Sequence, residues 1–219
     1  MKIGIDLNGV IRNVNKKYLD IYIKDINPTF NEDTIDLKKT DILKDLPFKS
    51  KKSRKLFAYE DYPFEIFGQA KSYPTHSAAV SIQKILNDWA NQLYFYDDTV
   101  VSLFSTHEEE LSIQATFNFL SKSGTRIRKV FLPTTIDEVW EEYDVVITAD
   151  KEIAKKCPKN KVVILIQKSD NFIETDFIYK NVEEVINDKN LFSLITNKLQ
   201  KKKTTLFSKI KNFFSKSNG

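Results

Sequence analysis

Cysteine is almost missing from this chain. Cys157 stands alone among 219 residues, which excludes an internal disulfide framework and a Cys-rich zinc site. Histidine is as scarce: His76 and His107 are too few for a His-rich metal site or a repeated His relay. Of the 34 basic residues only Arg12, Arg54, Arg126 and Arg128 are arginine, so few side chains are available to clamp a phosphate bidentately. No apolar run approaches the roughly 18 residues of a membrane span, and the opening MKIGIDLNGV lacks a cleavable signal pattern. The expectation is a protein that is neither secreted nor transmembrane and that sits in a reducing, aqueous compartment.

What is present is enough for a core. Hydrophobic residues make up 41% of the chain and aromatics 12%, which excludes general disorder. The length suits one domain, or one domain with a modest insert. The net charge of +4 is uneven, because residues 201–219 hold six Lys and no acid, leaving a body of about −2. The basic character therefore belongs to the tail, and the body does not read as a nucleic-acid binder. The abundance of Lys, Asn and Ile is the skew of an AT-rich genome, cellular or viral.

Lys2–Asp6 (KIGID) reads as a buried strand that runs into a Gly-containing turn. Asn15–Lys24 has helical spacing. Residues 13–74 form an insert punctuated by Pro28, Pro47, Pro63 and Pro74, with short helices expected near Ile35–Leu46 and Ser53–Phe57. Ser77–Leu93 is an amphipathic helix. Strands and helices then alternate: strand Val100–Phe104, helix His107–Ser121, strand Ile127–Leu132, helix Ile136–Glu142, strand Val145–Thr148, helix Lys151–Lys155, strand Val162–Ile166, short strand Phe177–Tyr179 and helix Val182–Leu199. This alternation predicts an α/β protein with a doubly wound parallel sheet and a helical insert between its first two strands. The core would comprise residues 1–12 and 75–200. In such sheets sites form at the carboxyl ends of the strands, here Asp6, Ser105–Thr106, Pro133–Thr135 and Asp150.

Asp6-Leu7-Asn8-Gly9-Val10 follows the first strand directly. With Ser105-Thr106 ending the second strand and Ala149-Asp150 following Val145–Thr148, the chain resembles the haloacid dehalogenase (HAD) superfamily of phosphotransferases over roughly residues 1–195. The resemblance implies about five parallel strands in the order 5-4-1-2-3. It implies Asp6 as a nucleophile forming an aspartyl-phosphate. It also implies magnesium held by Asp6, the backbone carbonyl of Asn8 and Asp150. Ser105, Thr106, Gly9 and the backbone N–H groups of Leu7–Gly9 would receive the phosphate.

Three departures from that pattern point to impaired catalysis. Asn8 stands where the family has an Asp that protonates the leaving group and then activates water, a role worth typically about 10²–10⁴-fold. No Lys lies between Leu132 and Asp144, where the third motif belongs, and the usual acidic pair is reduced to Ala149-Asp150. The expectation is a catalytically degenerate HAD-like protein with a weak or vestigial magnesium site. It would serve as a binding or structural component of a larger assembly, such as a phage virion. The alternative is a magnesium-dependent phosphatase or nucleotidase. Cytoplasm or virion is the expected location.

Plainer readings stand beside these. Asp6–Gly9 also suits an ordinary turn, Ser105-Thr106 a helix N-cap, and Asp150 the cap of the following helix. His107 beside Ser105 lacks the orienting acid of a Ser/His system, and Cys157 reads as packing. Glu60–Gly68 is aromatic and acidic, suited to a cap over the site or to a partner surface. In the tail, Leu206, Phe207, Ile210, Phe213 and Phe214 form a helical apolar stripe flanked by Lys. A protein partner is expected there, an anionic membrane surface less so, and no specific nucleic acid.

Overall fold

The computed structural model describes residues 1–37, 41–76, 80–95, 99–106, 108–167 and 174–200. Six parallel strands form one sheet: β1 (Lys2–Asp6), β2 (Val100–Phe104), β3 (Val130–Phe131), β4 (Val145–Thr148), β5 (Val162–Ile166) and β6 (Phe177–Tyr179). Their order is β3-β2-β1-β4-β5-β6, so the expected arrangement is present with β6 added at one edge. The Val- and Ile-rich β4 and β5 are buried along their whole length, as parallel strands covered on both faces must be. In register, Asp6 ends β1 beside Phe104 of β2, while Ile5 pairs with Ile147 of β4.

Helices cover the sheet: α3 (Ile82–Phe95), α4 (Glu110–Ser123), α5 (Ile136–Glu142), α6 (Lys151–Lys155) and α7 (Val182–Asn187), numbered after α1 (Val14–Ile21) and α2 (Lys51–Leu56) of the insert. One core cluster joins Ile3, Ile5, Leu86, Ile147 and Ile164; another, on the opposite face, joins Phe104, Trp140, Tyr143 and Val163. The insert has a third core of its own, in which Tyr18, Leu19, Tyr22, Ile42, Phe57, Ile66 and Phe67 close over Ala115 of α4. Among the described residues no helix is long and apolar enough to cross a membrane.

Several elements differ from their expected bounds, each for a local reason. The first insert helix ends at Ile21 and widens into a π-turn, Tyr22–Ile26, where the Tyr22 ring is wedged against Phe30 and Phe48 at 5.3 and 5.1 Å. The described part of Ile35–Leu46 is not helical, because the Asp41 carboxylate takes the Leu43 N–H at 2.9 Å and turns the chain. The described part of the 77–93 helix starts at Ile82; residues 77–79 lie outside the described residues. The helix expected from His107 starts at Glu110, since Glu109 and Ser112 form a capping box and Glu108 turns inward. The Ile127–Leu132 strand shrinks to two residues at the sheet edge. The long C-terminal helix breaks at Asp188, whose carboxylate accepts from Tyr179 Oη at 2.7 Å and from Asn190 N at 2.9 Å; helix resumes over residues 191–200.

Candidate active site

The loop after β1 carries the site. Gly9 has φ +81°, and a Cβ there would lie 2.7 Å from Ala149 Cβ, so only glycine lets this turn pass under the end of β4. Asp6, Asn8, Gly9, Thr106 and Asp150 line one cleft of about 700 Å³ at the carboxyl ends of the strands. The insert supplies its opposite wall, with Tyr18, Asp41, Lys44 and Tyr59. Ser105, expected to meet phosphate, is instead fully buried, and Thr106 is the hydroxyl facing the cleft. His107 and the tail 201–219 lie outside the described residues.

Asp6 is almost entirely buried. Its Oδ2 accepts from Thr148 Oγ1 at 2.7 Å and its Oδ1 from the Asn8 N–H at 3.1 Å. Burial pushes its pKa up to about 8; the Thr148 and Asn8 hydrogen bonds oppose the rise, and the neighbouring Asp150 charge adds to it. Asp150 also caps α6, its Oδ1 accepting from Glu152 N at 2.7 Å. Its capping and cleft-lining positions are therefore compatible. The groups that could hold a magnesium ion here are the Asp6 and Asp150 carboxylates and the Asn8 backbone carbonyl, an all-oxygen set of the kind this cation takes. Among the described residues no three His, Cys, Asp or Glu side chains cluster as metal ligands. Two carboxylates are thus what this end of the cleft offers, and water would fill most of the shell.

The organising residue is one that the motif did not suggest. Arg12 has no exposed surface. Its Nε donates to Asn8 Oδ1 at 2.9 Å, its Nη1 to Thr116 Oγ1 at 2.7 Å and to the Phe67 carbonyl at 2.9 Å, and its Nη2 to Glu108 Oε1 at 2.9 Å. Burial lowers the guanidinium pKa and the Glu108 charge opposes that. Glu108 Oε1 also accepts from Ser105 Oγ at 2.6 Å and from Thr116 Oγ1 at 2.9 Å. Ser105 has thereby committed its only proton, and its oxygen accepts from Asn8 Nδ2 at 2.9 Å.

Position 8 therefore stands between an N–H that needs an acceptor and a hydroxyl oxygen that needs a donor. An amide offers one of each; a carboxylate offers only acceptors. The expected phosphate cradle is occupied from within in the same way. The Leu7 N–H donates to the Phe104 carbonyl at 2.8 Å, the Asn8 N–H to Asp6, and the Gly9 N–H to the Arg12 carbonyl at 3.1 Å. Nothing in the sequence motifs pointed to Arg12, Glu108, Thr116 or Thr148. One signal was available: an arginine directly after apolar Val10-Ile11, in a chain that uses lysine almost everywhere, marks a place where a planar fork of donors is required.

No protein-family model matches the sequence, and no curated protein matches it. Among solved structures, the fold is similar to that of a Burkholderia xenovorans protein described as a haloacid dehalogenase-like hydrolase, at 9% identity and a TM-score of 0.50, over 86% of this chain and 95% of that one. At that identity the likeness is one of fold.

The buried ion pair yields a stability prediction. Arg12→Met leaves Glu108 buried without its cation, and should lower stability by about 3–5 kcal/mol. Arg12→Met combined with Glu108→Gln should lower it by less than Arg12→Met alone. Urea unfolding followed by circular dichroism measures both; a loss below about 1 kcal/mol for Arg12→Met would contradict the role of the pair.

Proposed function

We propose that this chain is a HAD-like protein whose phosphotransfer site no longer turns over and which serves as a binding or structural component of a larger assembly. The observation that carries this reading is the amide of Asn8, held between Arg12 Nε and Ser105 Oγ. Were Asp6 to attack phosphorus, the bond to the leaving oxygen would break and that oxygen would need a proton. The Asn8 amide has none to give, and its neighbours fix it as an amide. The committed Ser105 hydroxyl and the engaged N–H groups of Leu7, Asn8 and Gly9 support the same reading. The AT-rich composition fits a cellular or a viral genome, and a virus particle is one such assembly.

The second reading, a working phosphohydrolase, is favoured by one observation: Asp6 and Asp150 survive together at the floor of a roomy cleft. Magnesium, when bound, would neutralise charge on the phosphoryl group. Asp6 and Asp150 would hold it, and Thr106 would face the phosphate.

With magnesium present, wild-type protein should turn over phosphate monoesters at background rates and act at most on an acyl phosphate, whose leaving group needs no acid. Asn8→Asp should raise monoester turnover by less than about tenfold, because Arg12 Nε would hold the new carboxylate ionised and the third-motif Lys is still absent. A rise of about 10²–10⁴-fold, the ordinary worth of a general acid, would show that one missing proton was the whole defect. Robust wild-type turnover that vanishes in Asp6→Asn would establish the hydrolase.

The attachment point to a protein partner is proposed to be the tail, from its apolar stripe and its six lysines. Deleting residues 201–219 should leave the thermal unfolding of the body unchanged and abolish its incorporation into the assembly; a truncated chain that still incorporates normally would remove this idea.

A further inference from the structure

The insert leaves and rejoins the core at two adjacent crossings. There the Asn13 N–H donates to the Lys71 carbonyl at 2.9 Å, the Tyr73 N–H donates to the Ile11 carbonyl at 2.8 Å, and Arg12 bridges to Ser72 in antiparallel fashion. Two crossings this close make a natural hinge, and a wall tied down only at a hinge is free to swing. In this chain the insert is also tied to the core at a second place, close to those crossings. The turn Phe64–Gly68 packs on α4 so closely that a Cβ on Gly68 would lie 3.3 Å from the Ala115 carbonyl oxygen. Arg12 grips both bodies at once: the Phe67 carbonyl on the insert, and Glu108 and Thr116 on the core. Its guanidinium also lies 5.2 Å from the Phe67 ring centroid and 5.4 Å from that of Phe119.

We propose that Arg12, held in place by Glu108, is a latch that grips the Phe67 turn and keeps the insert fast against α4, so that the cleft above Asp6 has a fixed wall and not a swinging lid. The same residues that fix Asn8 and Ser105 thus fix the wall opposite them. A ligand enters through the standing mouth of the cleft, and its size is limited by the gap the latch maintains. This holds whether or not the site turns over.

Native-state hydrogen exchange on the full chain tests it. In the wild type, the Asn13, Tyr73 and Ile66 amides should exchange nearly as slowly as central sheet amides such as Ile5 and Val146. In Arg12→Met/Glu108→Gln the insert and crossing amides should exchange at least about tenfold faster relative to the sheet. A general loss of stability would speed both sets equally and leave their ratio unchanged, which would overturn the latch. So would a wild type whose insert amides already exchange far faster than its sheet. Should the double variant not fold, Thr116→Val, which removes one hydroxyl shared by Arg12 and Glu108, provides the second comparison, and an unchanged ratio there would also count against the latch.

Discussion

Taking a guanidinium out of water costs several kcal/mol unless its donors and its charge are matched inside the protein. Arg12 meets that constraint with one carboxylate, one hydroxyl, one backbone carbonyl and one amide oxygen, drawn from three separate stretches of chain. Each partner is then fixed in turn. Glu108 must face inward, so α4 starts after it. Ser105 donates its hydroxyl hydrogen bond to Glu108 and is left as an acceptor for Asn8. Asn8 becomes the residue that links the two, and the Phe67 turn is drawn onto α4. The site loop, the end of β2 and the insert are one unit because a single charge is buried among them.

This unit separates two properties that share a location. The strand-end architecture brings Asp6 and Asp150 to one cleft. The Ser105 hydroxyl and the N–H groups of Leu7, Asn8 and Gly9 are spent on holding the protein together. Fold and function part at this level: six parallel strands and a capped cleft do not decide the chemistry, whereas the partners of Asn8 and Ser105 bear on it directly.

Much of the framework was legible in the sequence, because buried parallel strands must be runs such as VVILI and because helix caps are written in short side chains. The strand-end positions of Asp6 and Asp150 could be read from the sequence, and the order of the strands from the resemblance alone. What could not be read were long-range contacts. The Asn8–Ser105 bond spans 97 residues and the Arg12–Glu108 pair 96, and neither leaves a local pattern. Ser105 was assigned to phosphate because its place in the chain suits that task. Its hydroxyl is engaged by Glu108, which turns inward to pair with Arg12. Two of the three expected insert helices form; the first is cut short by aromatic wedging at Tyr22, and the described part of Ile35–Leu46 is turned out of helix by the Asp41 side chain.

The central claim is that Arg12 and Asn8 act as one unit, and a double-mutant cycle measures this directly. Unfolding free energies of the wild type, Asn8→Ala, Arg12→Met and the double variant should show a coupling of at least about 1 kcal/mol between the two positions. Additive losses, with a coupling below about 0.3–0.5 kcal/mol, would mean that Asn8 is not held by Arg12 and that the buried guanidinium does not organise the site loop.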